Sequence, residues 1–253
     1  MDPTQKLARI ARKPLFIAVS LLAWIEPVMA GPGGSIARVV KDSFWAKLVL
    51  LLLAVIFLPL IVLGIMRQRG ARRRTRRDLT RASQFNSDFQ WIKLKQRATD
   101  CFRRVHSAWS REDTEEASEW MTDWYWQNQK LTVLEDWKRR GLQNHCEIKK
   151  IARMEPIYFL HQNDGGPHEG SVVVIAITAN MQDYLAGRDT GEVVEGDKKF
   201  KDVRTLWSFT YADGKWRVSN IEEDEHLSDY LESVYHLPAI EDTLPGDASG
   251  SRA

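Results

Sequence analysis

The 253-residue sequence has little of what covalent cross-linking, cofactor chemistry or metal binding usually needs. It holds two cysteines, Cys101 and Cys146, too few for the disulfide framework of a small secreted domain, and both are expected as free or core thiols. It contains no GxGxxG, no P-loop, no HExxH and no paired CxxC, so the signatures of dinucleotide, nucleoside-triphosphate and zinc chemistry are missing. None of the six histidines (His106, His145, His161, His168, His226 and His236) pair at metal-ligand spacing. No cofactor, metal or catalytic residue is expected from these patterns. Internal repeats are also lacking. At 43% hydrophobic and 28% charged, the chain is neither disordered throughout nor a polytopic membrane protein.

The net charge of +2 conceals a division. Residues 1–81 carry 15 basic and 4 acidic side chains, net +11, and residues 82–253 carry 21 and 30, net −9. Each part must be read separately. Residues 1–30 combine a basic head (Lys6, Arg9, Arg12, Lys13), an apolar run from Leu15 to Ile25 and a small-residue end at Val28 and Ala30, the pattern of a signal peptide or signal-like segment. Residues 31–47 are expected as a short periplasmic segment. Leu48 to Met66 is a run of 19 uncharged residues between Lys47 and Arg67. As a helix it covers about 28 Å, close to the hydrocarbon thickness of a bilayer. Trp45 stands at its entry, where an amphipathic ring favours the interface.

Eight arginines and one acid occupy residues 67–81. Positive charge stays on the cytoplasmic side, so the following domain is expected in the cytoplasm, on a single span of a bacterial inner membrane. Arg67, Arg69, Arg72, Arg73, Arg74, Arg76 and Arg77 are expected to contact anionic lipid head groups, worth about 1 kcal/mol per charge near the surface. The acidic remainder argues against a nucleic-acid partner.

Residues 82–240 read as one soluble domain, with a disordered tail at 241–253. Phe85, Phe89, Ile92, Ala98, Phe102, Val105 and Trp109 predict an amphipathic helix with a break near Lys95. A second helix is expected around Ala117 to Trp124 and a third around Leu131 to Lys138, ending at Gly141. Strands follow at 151–160, edged at Pro156, at Val172 to Ile177, at Val203 to Tyr211 and from Trp216 to Ile221, with a polar loop over 183–199. Asp213-Gly214 between Tyr211 and Trp216 is a hairpin signal. Three helices and then four antiparallel strands give an α+β domain with the helices on one face of a curved sheet. Ten tryptophans supply large anchors. Of the cluster Trp120, Trp124, Tyr125, Trp126 and Trp137, the first two are expected in the core, while Trp126 and Trp137 are candidate anchors for a protein partner.

The placement of Phe102, Val105, Ala108-Trp109, Glu112-Asp113, Met121-Thr122, Gly141 and Asn144, the strand 172–177, Asp183-Tyr184, Trp207-Ser208-Phe209 and Trp216-Arg217-Val218 with Ile221 resembles a known family. It is the C-terminal domain of the peripheral, matrix-side subunit 44 of the mitochondrial inner-membrane translocase, the Tim44-like domain. The resemblance covers about residues 84–237 and rests on aromatic and apolar positions. It implies the cone fold of nuclear transport factor 2 and a role on an anionic membrane, tethering partners. It further implies a concave apolar cavity, with Met154, Tyr158, Trp207, Phe209 and Trp216 as candidate lining for an acyl chain or peptide. One departure is Thr205, where the family often has an acid two residues before Trp207. The cone fold also holds isomerases with a carboxylate base, for which Asp183, Tyr184, Tyr158 and Tyr211 would be candidates. Fold alone does not license that activity, and none is expected. The expected function is a membrane-tethered docking or assembly module, with a lipid- or ligand-binding domain, or a cone-fold secretion subunit with a periplasmic domain, as the competing readings.

Overall fold

The computed structural model describes residues 44–112 and 119–244. The expected signal segment, the residues from 245 of the tail and the expected second-helix start at Ala117 lie outside them. The chain divides into two units, Met1–Val62 and Leu63–Ala253.

Helix α1 spans Phe44–Ala82. In the first unit, from Leu51 on, its described side chains are apolar: Leu51, Leu52, Val55, Ile56, Leu58, Leu60 and Ile61 are all exposed. Pro59 lies inside the helix. The segment Leu51–Ala82 contains an 18-residue window of mean hydropathy 2.3, long and apolar enough to cross a membrane.

In the second unit α1 changes character. Residues 67–81, expected as a collar ahead of the domain, are the last turns of the helix and supply part of the core. Ala71, Thr75, Asp78, Leu79 and Ala82 are buried. Their spacing of three and four places them on one helix face. Thr75 Oγ1 donates to the Ile157 carbonyl at 3.3 Å.

The remaining elements are α2 (Trp91–Arg111), α3 (Asp123–Gln129), α4 (Glu135–Arg139), β1 (Leu142–Leu160), β2 (Val172–Gly187), β3 (Val193–Ala212), β4 (Lys215–Glu223) and α5 (Leu227–Ser233). The π turn Lys130–Leu134 joins α3 to α4. Helix α2 is unbroken at Lys95; the chain bends earlier, through the 3-10 turn Ser87–Phe89, whose N-cap Asn86 accepts from Asp88 N. The sheet is an antiparallel meander in the order β1-β2-β3-β4. Its hairpin at Asp213-Gly214, with φ of 51° and 70°, is the expected tight turn with both central residues left-handed. Register shifts punctuate β1 between Ile148 and Lys150, Ile151 and Arg153, and Pro156 and Tyr158. A proline can sit there because β1 is an edge strand. The opposite edge is partly covered. Trp120–Thr122 runs beside β4, with Thr122 N donating to the Val218 carbonyl at 2.9 Å and Val218 N to the Trp120 carbonyl at 2.7 Å.

The expected polar loop over 183–199 is mostly strand: β2 runs to Gly187 and β3 starts at Val193. Backbone pairing across Asp183↔Asp197 and Tyr184↔Gly196 holds it without an apolar pattern. Gly196 is required there. Its φ is +83°, and a Cβ would come within 2.3 Å of the Asp183 carbonyl oxygen. Trp124, expected in the core, is 72% exposed, because α3 starts only at Asp123 and turns Tyr125 inward instead.

Side chains cover both faces of the sheet. The larger core packs α2, Trp120, Met121 and Tyr125 on Phe159, Val173, Ile175, Ile177, Trp207, Phe209, Trp216 and Val218. A smaller one joins Ala71 of α1 and Leu231 and Val234 to Ile157, Val174, Ala176 and Leu206 on the other face. This second layer was absent from the one-face expectation. Phe89 is a hub of the main core, with Phe159, His168, Tyr211 and Trp216 rings at 5.0–5.8 Å. Trp216 Nε1 donates to the Asp88 carbonyl and Tyr211 Oη to the Asp88 carboxylate, at 3.0 and 3.2 Å. The turn that carries Phe89 is thereby tied to β3 and β4.

Beside this hub, buried His161 and His168 share a hydrogen bond of 2.8 Å between Nε2 and Nδ1. Burial lowers both from their ordinary value, His161 to about 4. Two predictions follow from these contacts. Phe89→Ala should cost about 3–5 kcal/mol, read as a lowered denaturant midpoint. The unfolded chain takes up a proton on His161 near pH 6.5 and the folded chain resists until about 4. The contribution of His161 is therefore complete above pH 6.5 and is lost as pH falls toward 4. His161→Gln should show a shallower loss of stability over that interval than the unmutated protein.

Candidate functional site

Two features stand out: the arginines of α1 and a cleft at the α2–β2 end of the domain. The arginines are unequal. Arg72 and Arg74 are mostly covered, with side chains 25% and 22% exposed. Arg72 lies 4.0 Å from Glu155. Arg74 pairs with Asp78 and donates to the carbonyls of Leu237 and Pro238, both at 2.8 Å. Arg67 pairs with Glu232 at 3.6 Å and lies over the Tyr235 ring. Arg76 and Arg77 pair with Glu155 and Asp78 but stay about 60% exposed. Arg69 and Arg73 are exposed and make no ion pair among the described residues. The seven candidate lipid contacts thus divide into two turned toward the domain and five that keep substantial access to solvent.

The five candidate lining residues do not share one cavity. Trp207 and Phe209 are fully buried in the main core. The Trp207 indole donates to Thr205 Oγ1 at 2.9 Å, so the residue that departs from the family pattern serves as its partner. The Phe102 ring lies tilted against it at 5.0 Å and fills the space beside it. Met154 and Trp216 line two separate open clefts. Tyr158 lies with the smaller core, edge-on to Tyr230 at 5.8 Å. Of the four isomerase-type candidates, Asp183 and Tyr184 come together, while Tyr211 stands by Phe89 and Tyr158 beside Tyr230.

Asp183, expected in a loop, sits in β2 opposite Cys146 of β1. It lines a cleft of about 290 Å³ together with Trp109, Trp137, Asn144, Tyr184 and Leu185. Trp137 is therefore part of this wall, and Trp126 is half-buried against the main core. Asn144 Nδ2 donates to Asp183 Oδ1 at 3.0 Å. Ser110 Oγ lies 3.4 Å from Asn144 Oδ1 and accepts from Cys146 N at 3.0 Å. Ser110, at the end of α2, thereby ties that helix to β1.

His106 of α2 completes the group. Its ring lies within 5.6 Å of Phe102, Trp109 and Trp207. One ring nitrogen, Cys146 Sγ and a carboxylate oxygen of Asp183 all lie within 4.8 Å of one another. His106 Nδ1 and Trp109 Nε1 are buried without a hydrogen-bond partner. Burial takes the His106 imidazole down to about 4 and pushes the Cys146 thiol up to about 12, with Asp183 adding to the latter. Burial also raises the Asp183 carboxyl, against the pull of the Asn144 amide. Near neutral pH the cluster holds a neutral imidazole and a protonated thiol. Linear spacing could not reveal it, because its members come from α2, β1 and β2.

Among curated proteins none matches the chain. One solved structure to which it is similar is that of the intermembrane-space region of the chloroplast protein ARC6, at 9% identity and TM-score 0.34, over 50% of this chain and 92% of that one. The model of the Tim44-like domain matches residues 75–223. Its first residue falls inside α1, whose last turns are built into the core, and its last is the end of β4. With more than half of its length covered by that match, the chain belongs to the Tim44-like domain family.

Proposed function

We propose that the protein is a single-pass protein of a bacterial inner membrane whose Tim44-like domain lies on the cytoplasmic side and serves as a docking or assembly module. One observation carries this reading: one helix, α1, bears an apolar run with no buried position among the described residues and, further on, core residues of the domain. An apolar surface on every side of a helix is stable in lipid and costly in water. The orientation follows from the arginines after the run.

Lipid head groups are assigned to the arginines that remain accessible, Arg69 and Arg73 first, with Arg67, Arg76 and Arg77 shared between lipid and the domain's own acids. Exposed Trp124 and Leu131 on and beside α3 offer apolar area for a protein partner, of the kind that anchors interfaces.

Alkaline carbonate and high-salt washes should both leave the protein in the membrane fraction; release by salt alone would remove the membrane span. A reporter fused after Ala253 should be active only as a cytoplasmic type, and phosphatase activity there would reverse the orientation. Crosslinking from intact membranes, read by mass spectrometry, should recover a protein partner on α3; recovery of lipid alone would favour the ligand-binding alternative.

A further inference from the structure

The group at the α2–β2 end brings three different metal-type donors together. His106 is 7% exposed, and its Nδ1 has no partner. In a folded protein such an orphan is destabilising, so it calls for an explanation. Asp183 receives one side-chain hydrogen bond, from Asn144. Cys146 stands directly across from it in the β1–β2 ladder.

We propose that His106, Cys146 and Asp183 form a binding site for a divalent transition-metal ion of the zinc type, with the fourth position open toward the cleft bounded by Trp109, Trp137 and Tyr184. An imidazole, a thiolate and a carboxylate are the mixed set that suits zinc; calcium and magnesium prefer all-oxygen shells. Bonds of about 2.0–2.3 Å in a tetrahedral shell put donors about 3.3–3.8 Å apart. The three donors already lie within 4.8 Å of one another, so side-chain adjustments of about 1 Å close the shell. Metal entry displaces the Cys146 thiol proton to solvent and leaves the thiolate as ligand, with no change of oxidation state.

The surroundings match those of a built site. Asn144 holds one Asp183 oxygen, Ser110 holds both Asn144 and the Cys146 backbone, and aromatic rings screen His106. Such partners orient the ligands and fix their affinity. A three-ligand shell facing a cleft leaves the last position to water or to a donor atom of a small ligand.

The test uses the full chain in detergent, stripped with a chelator and titrated with cobalt(II). One equivalent should give a thiolate-to-cobalt charge-transfer band with the visible absorption of a four-coordinate ion. Cys146→Ser should abolish the band and Cys101→Ser should keep it. Asn144→Ala should keep the band while weakening binding about 10–100-fold. Absence of the band in the unmutated chain, or its survival in Cys146→Ser, overturns the proposal. Alkylation of the unmutated chain gives a reading independent of whether variants fold. Zinc should slow modification of Cys146 roughly tenfold or more, with buried Cys101 as internal reference, and equal rates with and without zinc would also overturn it.

Discussion

A helix that is apolar on every side needs surroundings other than water, and a helix that lends residues to a core needs a domain. Both demands fall on α1. Among the described residues its run through Leu51 to Ile61 has no buried position, whereas Ala71, Leu79 and Ala82 sit in the folded domain. The arginines that follow the apolar run are interleaved with these core residues. Arg72 and Arg74 reach Glu155, Asp78 and two backbone carbonyls, so part of the basic charge is met within the molecule. Charge buried with partners in this way is better read as fixing geometry than as adding stability.

The main core explains why this domain keeps little empty space around its central tryptophan. Trp207, Phe209, Phe102 and Phe89 lie fully or almost fully buried, and ring contacts run from His106 through Phe102 to Trp207 and Phe209. Large rings in edge-on, tilted and stacked contact occupy the volume where the family resemblance placed a cavity. Space opens instead between the helices and the far ends of β2 and β3, beside Trp109, Trp137, Asp183 and Gly196.

Much of this was legible from residue order. The apolar run, the buried strand at 172–177 and the Asp213-Gly214 hairpin each carry a local signal strong enough to decide their structure. Other features lacked one. The far ends of β2 and β3 mix polar and glycine residues with a few apolar ones such as Leu185 and Ala186, so no alternating pattern marks them as strand. The buried face of α1 at Ala71, Thr75, Asp78, Leu79 and Ala82 does have a helical period, but small and polar residues among eight arginines mask it. Trp124 follows a helix start that falls later than its aromatic pattern suggests. His106, Cys146 and Asp183 are separated by dozens of residues, and only the meander and the docking of α2 bring them together.

The contacts of α1 also set an order of events. Arg74 bonds Leu237 and Pro238, 163 and 164 residues further on, and Ala71 shares a core with Leu231 and Val234. During synthesis on the ribosome, α1 emerges long before these partners exist. Its inward face must wait, uncovered, while the whole sheet is made, because a closure over so long a loop cannot be replaced by local contacts. The second face of the sheet is therefore sealed last, after α5 and the residues just beyond it have left the exit tunnel.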